Sequence, residues 1–148
     1  MKCFGLLLCA TASAAAAERK IISTPNAPGA IGPYSQAVMM TTSGGPASVY
    51  VAGQIGLDPA TGEMVTGGIT NETRRAMENV KAILTAAGAN ITDVAECTVL
   101  LADFAEYAAF NEVYATYFEA DAAPARAAYQ VVALPKNART EVKCTAVF

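Results

Sequence analysis

Histidine is missing from the chain altogether. Its absence excludes Ser-His-Asp and Cys-His catalysis and most zinc sites, so proton transfer must rest on Asp, Glu, Tyr, Lys or water. Positive charge is scarce as well. Ten Lys and Arg stand against thirteen Asp and Glu, a net charge of −3, and no basic cluster exceeds Arg19-Lys20 or Arg74-Arg75. Electrostatic nucleic-acid binding needs a basic face, and the chain offers none in its sequence. The four cysteines never fall in a C-x-x-C spacing, which leaves metal-clip and thioredoxin-like readings unsupported. Nor does any apolar run reach the roughly 20 residues that cross a bilayer.

What is present is a core. With 53% hydrophobic and 16% charged residues over 148 positions, the chain has the make-up of one folded domain. Met1-Lys2, the apolar run Cys3 to Ala10 and the small residues to Ala17 have the layout of a secretory signal peptide, with an organellar transit segment as the competing reading. A leader is therefore expected over residues 1–17 and a single domain over 18–148. Cys97 and Cys144 sit in β-rich runs, most simply as buried thiols; a disulfide between them would suit an exported chain, and the sequence leaves both open.

The periodicities give the order β-β-β-α-β-α-β-β. Lys20 to Ser23, the stretch after Tyr34, and Val49 to Ile55 read as strands, the last interrupted by Gly53. Glycine inside a strand marks a bulge or a close approach by backbone or ligand. From Ile69 to Ala87 a stripe of Thr73, Met77, Val80 and Leu84 predicts a helix stopped at Gly88. Val94 to Leu101 returns to strand. Asp103 with Glu106 then forms a capping-box pattern before a helix carrying Phe110, Val113, Tyr114, Tyr117 and Phe118. Ala127–Val132 and Thr140–Phe148 finish the chain. Helices spaced among strands in this way predict an α+β fold: a two-layer mixed sheet with both helices on one face. The other face should then be buried against further copies of the chain.

Two polar residues stand out against the apolar background. Arg126 opens one apolar run and Glu141 sits on the next. A guanidinium can hold a carboxylate through two parallel hydrogen bonds, and a glutamate can take a proton from water. Such a pair suits a small anion fixed at one end and hydrated at the other. Tyr34, held between Gly32-Pro33 and a strand, offers a hydroxyl to a ligand. The plain structural alternative is a surface Arg and Glu on neighbouring strands, contributing at most about 1 kcal/mol.

Taken together, Ile31-Gly32-Pro33-Tyr34-Ser35-Gln36-Ala37, Gly53-Gln54-Ile55, Asn79 to Leu84 with Ala87-Gly88, Asn111 to Phe118, and Pro124-Ala125-Arg126 ending at Glu141 resemble the Rid (YjgF-type) family, in order, from about Lys20 to Val147. The resemblance implies a chorismate-mutase-like fold assembled as a homotrimer with clefts between subunits. It implies hydrolysis of 2-iminobutanoate and 2-iminopropanoate to 2-oxo acids and ammonia, without metal or cofactor, and without a nucleic-acid or membrane partner. By the same resemblance Arg126 would grip the substrate carboxylate and Glu141 would orient or deprotonate water. Tyr34, the backbone at Gly53, Asn111 and Ala128 would line the cleft. The family is usually cytosolic or mitochondrial, whereas the leader suggests export or an organelle.

The chain departs from the family pattern at several positions. Ala128 stands where many relatives carry Cys, Ala52 where Ser often precedes Gly-Gln, Ala123 where an aromatic is common, and Thr140 where an aliphatic residue is. These changes bear on the preferred substrate. A hairpin turning at Pro135-Lys136 would set Arg126 against Thr145 and Glu141 against Gln130, so the two are not direct partners, and a site mixing residues of two subunits is expected. The alternatives are a non-catalytic carboxylate-binding trimer and, less favoured by the acidic balance, an endoribonuclease.

Overall fold

The computed structural model describes residues 16–148. The leader expected over 1–17 lies outside them apart from Ala16 and Ala17, and Ala17 already pairs with Thr42 in the first strand. The elements are β1 (Ala17–Ile22), β2 (Ala37–Thr42), β3 (Ser48–Val51), α1 (Gly68–Ala87), β4 (Val94–Leu101), α2 (Tyr107–Tyr114), β5 (Ala125–Gln130) and β6 (Thr140–Val147). The order read from periodicity is the order observed. The strands form one sheet, β1-β2-β3-β6-β4-β5, antiparallel throughout except for the parallel pair β4–β5.

That topology corrects the expected hairpin. β5 and β6 are not neighbours, because β4 lies between them and pairs with both. Arg126 is opposite Cys97, and Cys97 is opposite Cys144. Glu141 is opposite Leu100, which is opposite Tyr129. β4 is a central strand, and its consecutive Val99-Leu100-Leu101 is the composition that burial on both faces requires.

Side chains alternate across the sheet, so one face carries Val49, Val51, Cys97, Val99, Val142 and Cys144, all buried. They pack against Ala76, Met77, Val80, Ile83 and Leu84 of α1 and Phe110 and Tyr114 of α2. Burying each large apolar side chain of this layer contributes about 1.5–3 kcal/mol. α1 starts at Gly68 behind Gly67, both at positive φ, and is capped by Gly88, φ 89°, where Gly88 and Ala89 donate their amides to Thr85 and Leu84 carbonyls. Cys97 and Cys144, both buried, are joined as a disulfide between β4 and β6, which decides between the two states the sequence left open.

The opposite face is more open. Ile55, Leu57, Leu134 and Ala138 gather there with Leu100 into a smaller cluster. Elsewhere on it Ile21, Tyr50, Tyr129 and Val147 remain exposed. Asn79 of α1, fully buried, holds the segment after β3 by donating Nδ2 to the Ile55 and Leu57 carbonyls at 3.2 and 2.9 Å. The capping box at Asp103 is half made. Asp103 Oδ1 accepts from Ala105 N at 2.9 Å, but Glu106 turns away to Arg139 at 2.6 Å. A single 3₁₀ turn therefore precedes α2. Among the described residues no helix is long and apolar enough to cross a membrane.

Candidate functional site

Arg126 and Glu141 occupy opposite faces of the sheet. Arg126 shares the helix-side face with Cys97, while Glu141 shares the other face with Leu100 and Tyr129. They are two strand spacings apart, roughly 9.5 Å, and three residues apart along the strands, about 10 Å. Each lines its own cavity; Tyr34 and Gly53 fall with Glu141, Asn111 falls with Arg126, and Ala128 falls with neither.

The first cavity, about 470 Å³, is bounded by Ile31, Tyr34, Gly53, Ile55, Pro135 and Glu141. Three of the expected residues meet here. Glu141 is half-buried, and that burial pushes its carboxyl above the ordinary value of 4.5, which brings it closer to a useful base at neutral pH. It lies against Gly53: a Cβ there would overlap Oε1, with Cδ at 2.7 Å and Cγ at 3.0 Å. The glycine interrupting the third strand signal is thus explained by a close approach, and the approaching group is the carboxylate itself. Ala52 N donates to Gln36 O and Gln54 N to Val142 O, both at 2.9 Å, while the amide of Gly53 has no acceptor among the described residues. The exposed Tyr34 accepts from Ile31 N at 3.2 Å through its hydroxyl oxygen, leaving the O–H to donate elsewhere.

Gln36 shapes the wall; the sequence places it in the family-like motif from Ile31 to Ala37 but gives it no role of its own. Buried, it accepts from Thr24 N at 2.6 Å and donates to the carbonyls of Thr24, Ala27 and Pro28 at 3.0, 3.1 and 2.8 Å. A lone glutamine entering an apolar strand was the available signal, since a buried amide needs such partners. At the far lip, Lys136 and Asn137 both hold positive φ (58° and 56°) beside Pro135.

The second cavity, about 490 Å³, contains Arg126 and Asn111. The guanidinium carbon lies 4.6 Å from the Tyr114 ring centroid, 5.6 Å from Tyr107 and 5.9 Å from Phe110. Nη2 donates to the Tyr107 hydroxyl at 2.9 Å. The aromatic stripe of α2, which in sequence reads as core, is also a cradle for this cation. Burial pushes the Tyr114 phenol up to about 12, with Arg126 pulling the other way, so that hydroxyl keeps its proton. No carboxylate pairs with Arg126: the salt bridges among the described residues are those of Arg139 with Glu72 and Glu106. Ala128 lines neither cavity, and packs instead against the main core.

Among the described residues, then, a half-buried cation has no counter-ion and a desolvated carboxylate has no partner, and both are poised for a ligand. Residues 24–148 match the family model described as Endoribonuclease L-PSP. The chain is 49% identical over 129 residues to the 2-iminobutanoate/2-iminopropanoate deaminase of Homo sapiens, covering 87% of this chain and 90% of that one. It is 41% identical to Reactive Intermediate Deaminase A, chloroplastic, of Arabidopsis thaliana, covering 90% and 68%. Among solved structures, E. coli TdcF with bound serine matches with a TM-score of 0.77 and 41% identity, covering 87% of this chain and 98% of that one. The YjgF gene product of E. coli matches at 0.76 and 38%, covering 86% and 98%. The chain belongs to the endoribonuclease L-PSP family, the Rid or YjgF-type family that its motifs resemble.

Proposed function

We propose that this chain hydrolyses small 2-imino acids, 2-iminobutanoate and 2-iminopropanoate among them, to 2-oxo acids and ammonia, at a site completed between copies. The observation that carries this reading is Arg126, half-buried, stacked on aromatic rings and hydrogen-bonded to Tyr107, with no carboxylate paired to it among the described residues. A ligand carboxylate is the partner its fork is shaped for. The activity for which the relatives are named supplies the substrate class.

The chemistry follows from the two half-sites. Arg126 and Asn111 of one copy hold the carboxylate end. Tyr34, Gly53 and Glu141 of another copy face the carbon–nitrogen double bond. Glu141 takes a proton from water as the oxygen bonds to C2 of the protonated imine, giving a tetrahedral carbinolamine. That proton passes to nitrogen, the C–N bond breaks, and ammonia leaves as the hydroxyl proton is released and the C2 carbonyl forms. A protonated imine is already electrophilic, so positioning water against it is the main task. The exposed Tyr50, Tyr129 and Val147 on the Glu141 face support association of copies through the sheet, and a homotrimer is the assembly the family resemblance suggests.

The test is a coupled assay. A threonine dehydratase generates the imine, and 2-oxo acid release is followed with and without this chain. Acceleration is expected, and neither Arg126→Ala nor Glu141→Ala homo-oligomers should accelerate. Mixing the two variants should restore part of the rate. No recovery on mixing would sink the shared site, and no acceleration by the unaltered chain would sink the activity.

A further inference from the structure

One buried acid belongs to neither cavity. Glu72 of α1 is only 7% exposed, and burying a carboxylate is costly unless it finds partners. Its partners lie on two separate segments. Oε2 accepts from the backbone amide of Arg139 at 2.8 Å. The stem packs on Gly56, where a Cβ would stand 2.9 Å from Glu72 Cα and Cγ and 3.0 Å from its Cβ. Gly56 lies three residues past Gly53, and Arg139 lies two before Glu141. These segments are the two walls of the Glu141 cavity, lined by Gly53, Ile55 and Leu57 on one side and by Pro135 and Glu141 on the other. Asn79, seven residues further along α1 and so on the same face of the helix, bonds to the first wall. Glu72 touches both. All of these contacts lie within one chain, so they stand however the copies assemble.

We propose that Glu72 is a positioning residue for the water-activating carboxylate, clasping the two walls at the spacing that sets Glu141 against Gly53. From Val142 onward β6 is fixed on both sides, by β4 and by the paired Gln54 and Val142 amides and carbonyls at 2.9 Å. Ahead of Thr140, the Arg139 carbonyl accepts from Ala102 N at 2.9 Å, and the Arg139 amide depends on Glu72. Without that acceptor a part-buried N–H loses its partner, the turn from Leu134 to Arg139 gives way, and Glu141 moves off Gly53. The negative charge is secondary. Arg139 is half exposed, its Nε lies 3.9 Å from Glu72 Oε1, and exposed pairs contribute little. The inference deepens the deaminase reading and rests on it for the rate, though not for the clasp.

Glu72→Gln and Glu72→Met, nearly equal in size, separate the acceptor from the stem. Both keep the packing on Gly56, both remove the charge, and only glutamine can accept from the Arg139 amide. In the coupled imine assay on the full chain, the glutamine variant should stay within about twofold of the parental kcat. The methionine variant should fall on the order of tenfold or more, the cost of a displaced group at the reacting centre. KM should stay near the parental value in both, because the Arg126 half-site is untouched. Equal kcat in the two variants, whether high or low, would overturn the proposal, as would a methionine variant whose loss lies in KM. Hydrogen exchange on the parent needs no variant. The Arg139 amide should exchange as slowly as the ladder amides of β6, and exchange at the rate of an open loop removes the clasp. If the parent hydrolyses no imine, the deaminase reading falls and the titration of Glu141, followed by carbon-13 NMR, decides the clasp. Burial alone raises that carboxyl, so it should titrate lower in the methionine variant than in the glutamine one. Since the two variants share their charge, identical titration would show that the walls had not moved and would sink the proposal.

Discussion

Substituting Gly53 by Ala should separate catalysis from folding. The position is not among those with positive φ, so alanine meets no backbone penalty and, by narrowing the unfolded ensemble, can add about 0.4–1 kcal/mol of stability. Its methyl, however, would stand where Glu141 Oε1 now is, with Cδ at 2.7 Å and Cγ at 3.0 Å. Carbon–carbon contacts settle near 3.5–4.0 Å, so the carboxylate must retreat by about 1 Å or change rotamer. A misplacement of that size in a group that positions water costs on the order of 10²-fold in rate. Since Glu141 is only half-buried, it can swing towards solvent without disrupting the sheet. The expected result is a kcat about a hundredfold lower, an affinity for carboxylates little changed and a melting temperature no lower than that of the parent. A Gly53→Ala enzyme with parental kcat would refute the placement of Glu141 at the reacting centre, and a collapse of stability would refute the claim that the glycine serves the site rather than the fold.

Three further outcomes follow from contacts already described. Glu141→Gln should abolish turnover while keeping carboxylate binding, which also separates an enzyme from a binding module. Burial raises the folded-state value of this carboxyl, so the cost of its charge is present above that raised value and absent below the ordinary 4.5; the Gln variant should therefore be more stable than the parent at pH 7 and equal to it near pH 4 by thermal melts. The acidic limb of kcat against pH should correspondingly lie above the usual glutamate range in the parent. Tyr107→Phe keeps the ring beneath Arg126 but removes the 2.9 Å acceptor that orients its fork; KM should rise roughly tenfold with kcat less affected, as steady-state kinetics would report. Asn79→Ala should cost roughly 2–3 kcal/mol in urea melts, because two buried carbonyls lose their donor.

Local signals carried most of the fold. Helix α1 is written in its stripe and in Gly88, and the alternation from Val94 to Leu101 marks β4. Strand order is a different kind of property, since nothing in β5 or β6 announces that β4 intervenes between them. The hairpin expectation followed the habit of sequential strands pairing, and the cue against it was the doubly apolar Val99-Leu100-Leu101. At the site, the family-like motifs brought forward Arg126, Glu141, Tyr34, Gly53 and Asn111, and each lines one of the two cavities. Tyr107 and Gln36 stayed hidden because their roles depend on what the fold sets beside them. A tyrosine on an apolar helix stripe reads as core whether or not a cation lies over it.

Placing the cation on one surface of the sheet and the base on the other has a consequence for how such a catalyst is switched on. On the proposed assembly, a solitary chain is chemically mute, however well folded, and specific activity becomes a measure of encounter. Dilution below the dissociation threshold should silence the reaction while circular dichroism stays unchanged.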